Sequence, residues 1–409
     1  MEISSGGVTH QRPIGDKMLR FTATDIRKEH TGVHAKVRII LQRTVLATDT
    51  FNISRHTDRV RLGNAAHKHL GSDLGGILPK EHLEHELMIF CEAVWETWIE
   101  SQRPVMVDGD PVGEPISFWA KPHIIKGGGT ILFGPRGRGK SYTAMLMAVT
   151  IDAGSNHFWE STQGPALYIN LERDARSMKR RLGLVNTALG LDPARQLLML
   201  NARGKSLMDV QDMVQGAIDD GGVELIILDS ISRAGFGDLN ENRPANATID
   251  CLNGFDRSWL AIAHSPRSDE SHVFGSVHYE AGADIVIQLM SEAADTELGI
   301  GLQIIKANDI GRQPIKVLRY EFDEWGLSGV NSASMADYPS FRAGAGMSMA
   351  DQIQDYLLNE AGKATATDIA QELGKDRSSV SRLLRADQRF VGNRDGNKVL
   401  YSVRAEVSS

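Results

Sequence analysis

Cysteine is scarce in this sequence: Cys91 and Cys251 are the two thiols in 409 residues. Two thiols exclude a disulfide framework and a four-thiolate zinc site. No run approaches the ~18 consecutive apolar residues of a membrane helix, and no secretory apolar segment stands near the start. A cytoplasmic protein without a membrane partner is therefore expected. Basic charge is not in excess either, with 45 Lys and Arg against 52 Asp and Glu and a net charge of -7. That excludes a uniform basic coat, so any nucleic-acid contact must come from local patches. The pairs His67/His69 and His82/His85 lack further ligands at zinc spacing. What remains is 41% hydrophobic and 24% charged, ordinary for a globular chain of two to four domains.

Residues 1–120 read as a small α+β domain without a legible role. Val33 to Leu41 alternates and is β-branched, and Val45 to Ile53 offers a partner strand. Arg59 to Leu70 and Lys80 to Ser101 have helical spacing, with Leu83, Leu87, Phe90 and Val94 on one face. Residues 1–60 carry ten Lys and Arg against six Asp and Glu, a mildly basic flank.

Over residues 121–327 strands alternate with helices, the pattern of an α/β fold with a parallel central sheet. The expected strands are Thr130–Phe133, Ala166–Asn170, Leu197–Leu200, Leu225–Leu228, Trp259–Ala263 and Asp284–Leu289. Leu298–Lys306 and Lys316–Phe322 would extend the sheet antiparallel. Residues 328–347 are small and polar and read as a linker. Residues 348–409 predict three helices, Met349–Ala361, Thr367–Leu373 and Arg377–Ala386, the last capped by Asp376. A hairpin turning at Asp395-Gly396 follows, which makes a winged helix-turn-helix arrangement. Gly374 to Arg404 carries eight Lys and Arg and three Asp and Glu, so basic charge gathers there.

The strongest signal is Gly134-Pro135-Arg136-Gly137-Arg138-Gly139-Lys140-Ser141, which fits G-x-x-x-x-G-K-[ST] between an apolar strand and a helix starting at Ser141 and Tyr142. Such a loop curls backbone N–H groups around phosphate oxygens at a helix N-terminus. Lys140 would reach the β- and γ-phosphates of ATP, and the Ser141 hydroxyl would ligate Mg²⁺. A buried run ending in Asp229 supplies the second magnesium element. Ser230 follows it, so the catalytic base must come from elsewhere. Ala166 to Glu172 is another apolar strand ending in a carboxylate, and parallel strands share one carboxyl edge. Glu172 is the expected base, with Asp174 as its competitor. Trp259 to His264 ends at the same edge, where His264 could bond the γ-phosphate.

Together these pieces resemble the RecA-like P-loop ATPases, particularly the RepA-type hexameric helicases of phages and plasmids. The resemblance covers about residues 121–325. It rests on Gly134–Ser141, Glu172 within Leu-Glu-Arg-Asp, Ile-Ile-Leu-Asp229-Ser, Ala-His264-Ser, and Phe274-Gly275-Ser276. It implies that Glu172 activates water and His264 senses the γ-phosphate. It also implies that Ile231–Thr248 and Ser265–Glu280 line a ring's pore, where Arg233, Arg243, Arg267, Lys205, Asn240 and Asn242 would meet single-stranded DNA. A cation supplied in trans is implied as well. Lys306 fits the family's Lys-x-Arg pair, but Asn308 holds the second place and Arg312 is the substitute. The reading is an ATP- and Mg²⁺-dependent, ring-forming helicase with possible replication or recombination partners. Arg377, Ser378, Ser379, Arg382 and Arg385 would meet duplex DNA on the winged helix. The alternatives are a recombination mediator and an ATP-gated DNA-binding regulator.

Overall fold

Apolar runs of five or six residues that end in polar groups recur through the middle of the chain, and in the computed structural model they lie side by side. The structure describes every residue except 1, 5, 6, 43, 71–77, 102, 110–112, 114, 236, 267, 268, 339, 342–348, 397 and 405–409. The chain divides into two compact units, Met1–Glu114 with Gly254–Asp256, and Pro115–Asn253 with Arg257–Ser409.

The first unit is an antiparallel sheet in sequence order: β1 (Glu2–Ser4), β2 (Gly7–Ile14), β3 (Lys17–Glu29), β4 (Gly32–Leu41) and β5 (Thr44–Asn52). Period-two alternation decides which face is covered. Val33, Ala35, Val37, Ile39 and Leu41 of β4 are buried, as are Leu19, Phe21 and Ala23 of β3. The helices α1 (His56–Lys68) and α2 (Lys80–Ser101) share this core through Leu62, Leu83, Leu87, Phe90 and Val94, and the rings of Phe21 and Phe90 lie 5.7 Å apart. Each such side chain contributes about 1.5–3 kcal/mol by leaving water. The expected strands and helices are present; β2 and β3 add a hairpin whose polar alternation hid it.

The second unit holds a nine-stranded sheet in the order β11-β10-β12-β13-β8-β14-β15-β16-β17. These strands are β8 (Gly129–Gly134), β10 (Ala166–Asn170), β11 (Leu198–Asn201), β12 (Leu225–Asp229), β13 (Ser258–His264), β14 (Ile285–Ala293), β15 (Glu297–Ala307), β16 (Lys316–Asp323) and β17 (Gly326–Ala333). The first six in that order run parallel and the last three antiparallel. The helices α3 (Lys140–Ala153), α4 (Ala175–Ala188), α5 (Leu207–Gly221), α6 (Asn242–Asn253) and the short α7 (His278–Ala281) fall between the strands. Beside this sheet, β6 (Phe118–Lys121), β7 (Ile124–Ile125) and β9 (Glu160–Ser161) make a small separate one. The fold is α/β with a parallel centre.

Two boundaries differ from the sequence reading. The first unit ends at 114, not 120, because Phe118–Lys121 already pairs within the second unit. Residues 328–347 are not simply a linker. Gly326–Ala333 is the edge strand β17, with Leu327 and Val330 buried and small polar residues outward. Beyond it Met335, Tyr338 and Phe341 are buried against Met290, Ile315 and Val317. Gly299 and Gly301 make room for this: a Cβ at Gly299 would stand 2.4 Å from the Tyr338 ring, and one at Gly301 3.0 Å from Phe341. The rest of the expected linker, 342–348, lies outside the described residues.

At the end of the chain α8 (Met349–Tyr356), β18 (Ala364–Thr365), α9 (Ala366–Glu372), α10 (Arg377–Ala386), β19 (Phe390–Asp395) and β20 (Lys398–Val403) surround a core of Ile353, Leu357, Ile369, Val380, Leu384 and Phe390. Thr365 and Asp368 form a capping box on α9, and Asp376 caps α10 by accepting from Ser379 N.

Burial of His123 generates a stability prediction. The ring is 1% exposed and accepts from Trp159 Nε1 at 3.1 Å. Burial, then the charge of Lys316, pushes its pKa down to about 3. Above pH ~6.5 the ring is neutral in both states and costs nothing; below it the unfolded chain takes a proton that the folded one refuses. Urea unfolding should therefore lose about 1.4 kcal/mol per pH unit from this group between about pH 6 and 4.5. His123→Gln should flatten that slope by one proton, and equal slopes in both proteins would contradict the assignment.

Candidate active site

Backbone conformation shapes the phosphate loop first. Gly137 and Gly139 sit at φ 75° and 94°, where side chains are strained, and a Cβ on Gly139 would come 2.9 Å from Ile300 Cδ1. The loop then enters α3 at Lys140. This lysine is 5% exposed, and its Nζ donates to Gly134 O at 2.7 Å and Pro135 O at 2.6 Å. Burial pushes its pKa down to about 8, against the pull of Asp229 and Glu172. Arg136 and Arg138 project from the loop and are exposed, while Pro135 is half-buried.

Strand order brings the remaining groups together. β13 lies between β8 and β12, and His264 pairs with Gly134 at the shared edge. Asp229, at the end of β12, is 2% exposed and accepts from Tyr168 Oη at 2.9 Å. Burial raises its pKa, while hydrogen bonds from Tyr168 and Ser141 oppose the rise. Burial, then the charge of Asp229 and the same hydrogen bond, push the Tyr168 phenol well up. The Ser141–Asp229 pair is the one expected for magnesium, and nucleotide phosphates would complete such a site. Among the described residues no group of three or more His, Cys, Asp and Glu gathers to hold a metal by itself.

Glu172 stands two residues beyond the last β10–β12 pair, Asn170 with Asp229. Buried Asn170 moulds its turn: Oδ1 accepts from Glu172 N at 3.2 Å and Arg173 N at 2.9 Å, and Nδ2 donates to Arg173 O at 2.8 Å. Ser230 Oγ donates to Glu172 Oε1, and Ser232 Oγ lies 3.4 Å from the same oxygen. Asp174, the competing carboxylate, is exposed and caps α4 by accepting from Ser177 N at 2.9 Å. That hydrogen bond is the first cause of its lowered pKa. It is a helix cap.

Lys140, Ser141, Tyr142, Glu172, Asp229 and His264 line one cavity of about 250 Å³. Burial, then Lys140, pushes the His264 pKa down to about 4, so the ring is neutral near pH 7. Its buried Nδ1 meets no partner, a fit for a phosphate oxygen. At the other end Arg181 Cζ lies 4.5 Å over the Tyr142 ring, and Tyr142 meets Phe322 edge-on at 6.0 Å. Arg181 Nη1 is buried without a hydrogen-bond partner. Tyr142, Arg181 and Phe322 thus give this end of the cavity a flat, partly charged wall, of the kind on which an aromatic base can stack.

The residues expected to act in trans lie elsewhere. Lys306 Nζ donates to three carbonyls around the end of α7, Glu280 O at 2.8 Å, Ala281 O at 3.0 Å and Ala283 O at 2.7 Å. Arg312, half-exposed, pairs with Asp351 of α8 at 2.7 Å. Arg233 and Arg243 are exposed, on the 3₁₀ turn Ile231–Arg233 and on α6. Arg267 lies outside the described residues. On α10, Arg377, Ser378, Arg382 and Arg385 are exposed, and Ser379 is half-buried by its bond to Asp376.

Sequence reasoning missed Tyr168, Asn170, Arg181, Ser230, Ser232 and Phe322. Two carried a usable signal: Tyr168 and Asn170 are polar-tipped residues in an otherwise apolar strand, alternate positions on one face. Arg181 and Phe322 reach the cavity from elements distant in sequence and carried none.

Residues 103–269 match a family model described as an AAA domain. No curated protein matches the chain. Among solved structures, a KaiC-like protein from the hyperthermophilic archaeon Pyrococcus horikoshii OT3 is similar over 53% of this chain and 100% of its own, at 14% identity and TM-score 0.37.

Nucleotide affinity should follow the charge on Lys140. ADP is fully ionised above pH ~8, where the free lysine has begun to lose the proton that bound phosphate needs. The ADP Kd should be flat from about pH 7 to about pH 8 and rise above it, by up to about tenfold per unit. A flat titration to about pH 9.5 would contradict this charge state. Lys140→Ala should abolish binding throughout. Within the second unit, the stretch that matches the AAA-domain model holds the phosphate loop, Glu172, Asp229 and His264 around one cavity.

Proposed function

We propose that this chain is an Mg²⁺-ATP-hydrolysing, ring-forming motor that acts on single-stranded DNA, of the helicase kind. One observation carries the reading. Glu172 borders the phosphate-loop cavity on one side and, on the other, a cavity of about 640 Å³ whose wall includes Arg203, Lys205 and Arg233. A base for hydrolysis thus shares a wall with a site suited to a phosphodiester backbone.

In this mechanism the loop N–H groups and Lys140 hold the β- and γ-phosphates, and Glu172 orients and deprotonates the attacking water. Ser141 and Asp229 would hold Mg²⁺, which supplies charge neutralisation and orientation when bound. Neutral His264 offers the γ-phosphate one hydrogen bond. Its carbonyl accepts from Phe274 N at 2.7 Å, tying that contact to the loop that follows β13. Arg233 and Arg243 would meet single-stranded DNA, and Arg312 would act on a neighbouring subunit of a hexameric ring. Lys306 is the weaker choice for that role, since its protons are already committed within the chain.

The C-terminal helices and hairpin support a winged helix with α10 as the reader of duplex DNA. Exposed Arg377, Arg382 and Arg385 would contact phosphates or base edges. A second reading, an ATP-gated DNA-binding regulator, draws on the Arg312–Asp351 pair, which links the ATPase core to that module.

The test is ATP turnover with and without single-stranded DNA, together with displacement of a strand from a forked duplex. Stimulation with displacement is expected. Stimulation and strand pairing without displacement would replace the motor by a recombination mediator. Hydrolysis indifferent to single strands, with tight sequence-specific duplex binding, would favour the regulator.

A further inference from the structure

The phosphate loop carries more charge than its motif requires. Between Gly134 and Ser141 stand three cations, Arg136, Arg138 and Lys140, and no acid. Lys140 is the motif's own, whereas the arginines occupy positions that G-x-x-x-x-G-K-[ST] leaves open. Both arginines are exposed, and neither has an ion pair or a side-chain hydrogen bond among the described residues. The other cations considered for the γ-phosphate are engaged: Lys306 Nζ serves three carbonyls, and Arg312 pairs with Asp351.

Of the two loop arginines, Arg136 stands at the reacting end. The backbone leading to it is pinned. Gly134 O accepts from Lys140 Nζ at 2.7 Å and from Ser265 N at 3.1 Å, and Pro135 O accepts from the same Nζ at 2.6 Å. Proline fixes a torsion before Arg136, and Gly137 turns the chain left-handed after it, at φ 75°. Gly134 also pairs with His264 across the sheet edge. Arg136 thus leaves the loop beside Lys140 and His264, the two side chains that meet the γ-phosphate in the mechanism above. Burial is the first cause of the lowered pKa in both, and the charge of Arg136 adds to it in both. A Cβ at Gly137 would meet nothing within 4 Å, so the space over the loop's apex is open to a long side chain.

We propose that Arg136 is a catalytic residue that, within its own subunit, donates hydrogen bonds to the γ-phosphoryl oxygens of ATP during hydrolysis. The proposal rests on the ATP-hydrolysing part of the reading above and not on the ring; a neighbour's Arg312 would add to this charge rather than supply it alone. The guanidinium is planar and stays protonated, so it stabilises charge and transfers no proton. In the step it assists, the water oxygen bonds to the γ-phosphorus while the bond to the ADP oxygen breaks, that electron pair leaving with ADP. The water proton passes to Glu172 and then to solvent. ADP lacks the group that Arg136 meets, so this residue separates turnover from ADP binding.

Full-length protein and its Arg136→Ala, Arg136→Lys and Arg138→Ala variants test this by steady-state ATPase and by ADP titration. Arg136→Ala should lower kcat about a hundredfold to a thousandfold, the factor that one donor to a developing oxyanion carries, and leave the ADP Kd at its wild-type value. Arg136→Lys keeps the charge without the planar fork; it should recover part of the loss, and it keeps the test open where Arg136→Ala does not fold. Arg138→Ala removes the same charge from the same loop and should cost kcat less than Arg136→Ala does. Mixing Arg136→Ala with Lys140→Ala should restore no turnover, because neither chain then holds both groups in one loop. Restored turnover in the mixture would overturn the proposal, since the arginine would be serving a neighbour's site. Wild-type kcat in Arg136→Ala would overturn it too, and so would loss of ADP binding together with turnover, which would make Arg136 a structural part of the loop. If wild type hydrolyses no ATP, or Lys140→Ala hydrolyses it normally, the ATPase reading fails first and the role of Arg136 with it.

Discussion

Two opposite charges, Lys140 and Asp229, lie almost out of water at the carboxyl edge of one parallel sheet, and the arrangement of the site follows from keeping them there. An isolated ion in such a place is costly unless it is hydrogen-bonded. The loop meets the lysine with two of its own carbonyls, and Tyr168 meets the aspartate from the neighbouring strand. Those partners can be exchanged for phosphate oxygens and a metal ion without unfolding anything. The sheet supports this exchange by stacking its apolar strands so that their polar ends share one edge. The depressed Lys140 pKa expresses the same constraint: the ammonium is short of counter-charge until phosphate supplies it.

Strand order then sets the division of labour. β13 separates the loop strand from the Asp229 strand, so His264 stands at the shared edge between them. Glu172, the base in the proposed mechanism, follows β10, on the other side of β12. Such a base need not share the metal's hydrogen bonds, and it sits beside a second, cation-walled cavity. Ser230 and Ser232 occupy the junction.

Most of this core was legible in the sequence because its signals are local. The phosphate loop declares itself within eight residues, and buried parallel strands show as apolar runs with polar ends. Glu172, Asp229 and His264 could be ranked because each closes such a run. Convergence from distant elements was not legible. Arg181 reaches the nucleotide cavity from a helix, Phe322 from an antiparallel strand, and the Ser230–Glu172 bond spans 58 residues. The small polar stretch after 326 failed as a linker because Gly299 and Gly301, remote in sequence, open room for Tyr338 and Phe341. In the first unit, β3 was obscured by its polar Thr-Ala-Thr-Asp-Ile-Arg-Lys-Glu end, which no period distinguishes from a loop.

The central claim is that the carboxylate on the strand beside Asp229, and not its neighbour in the next turn, takes the proton from water. Single-turnover hydrolysis of ATP by Glu172→Gln and Asp174→Asn measures this directly, because nucleotide binding and bond cleavage are read in one experiment. The account predicts that Glu172→Gln binds ATP stoichiometrically and leaves it uncleaved, while Asp174→Asn, altered only at a helix cap, cleaves it at the wild-type rate. Cleavage at the wild-type rate by Glu172→Gln, with loss in Asp174→Asn, would contradict it.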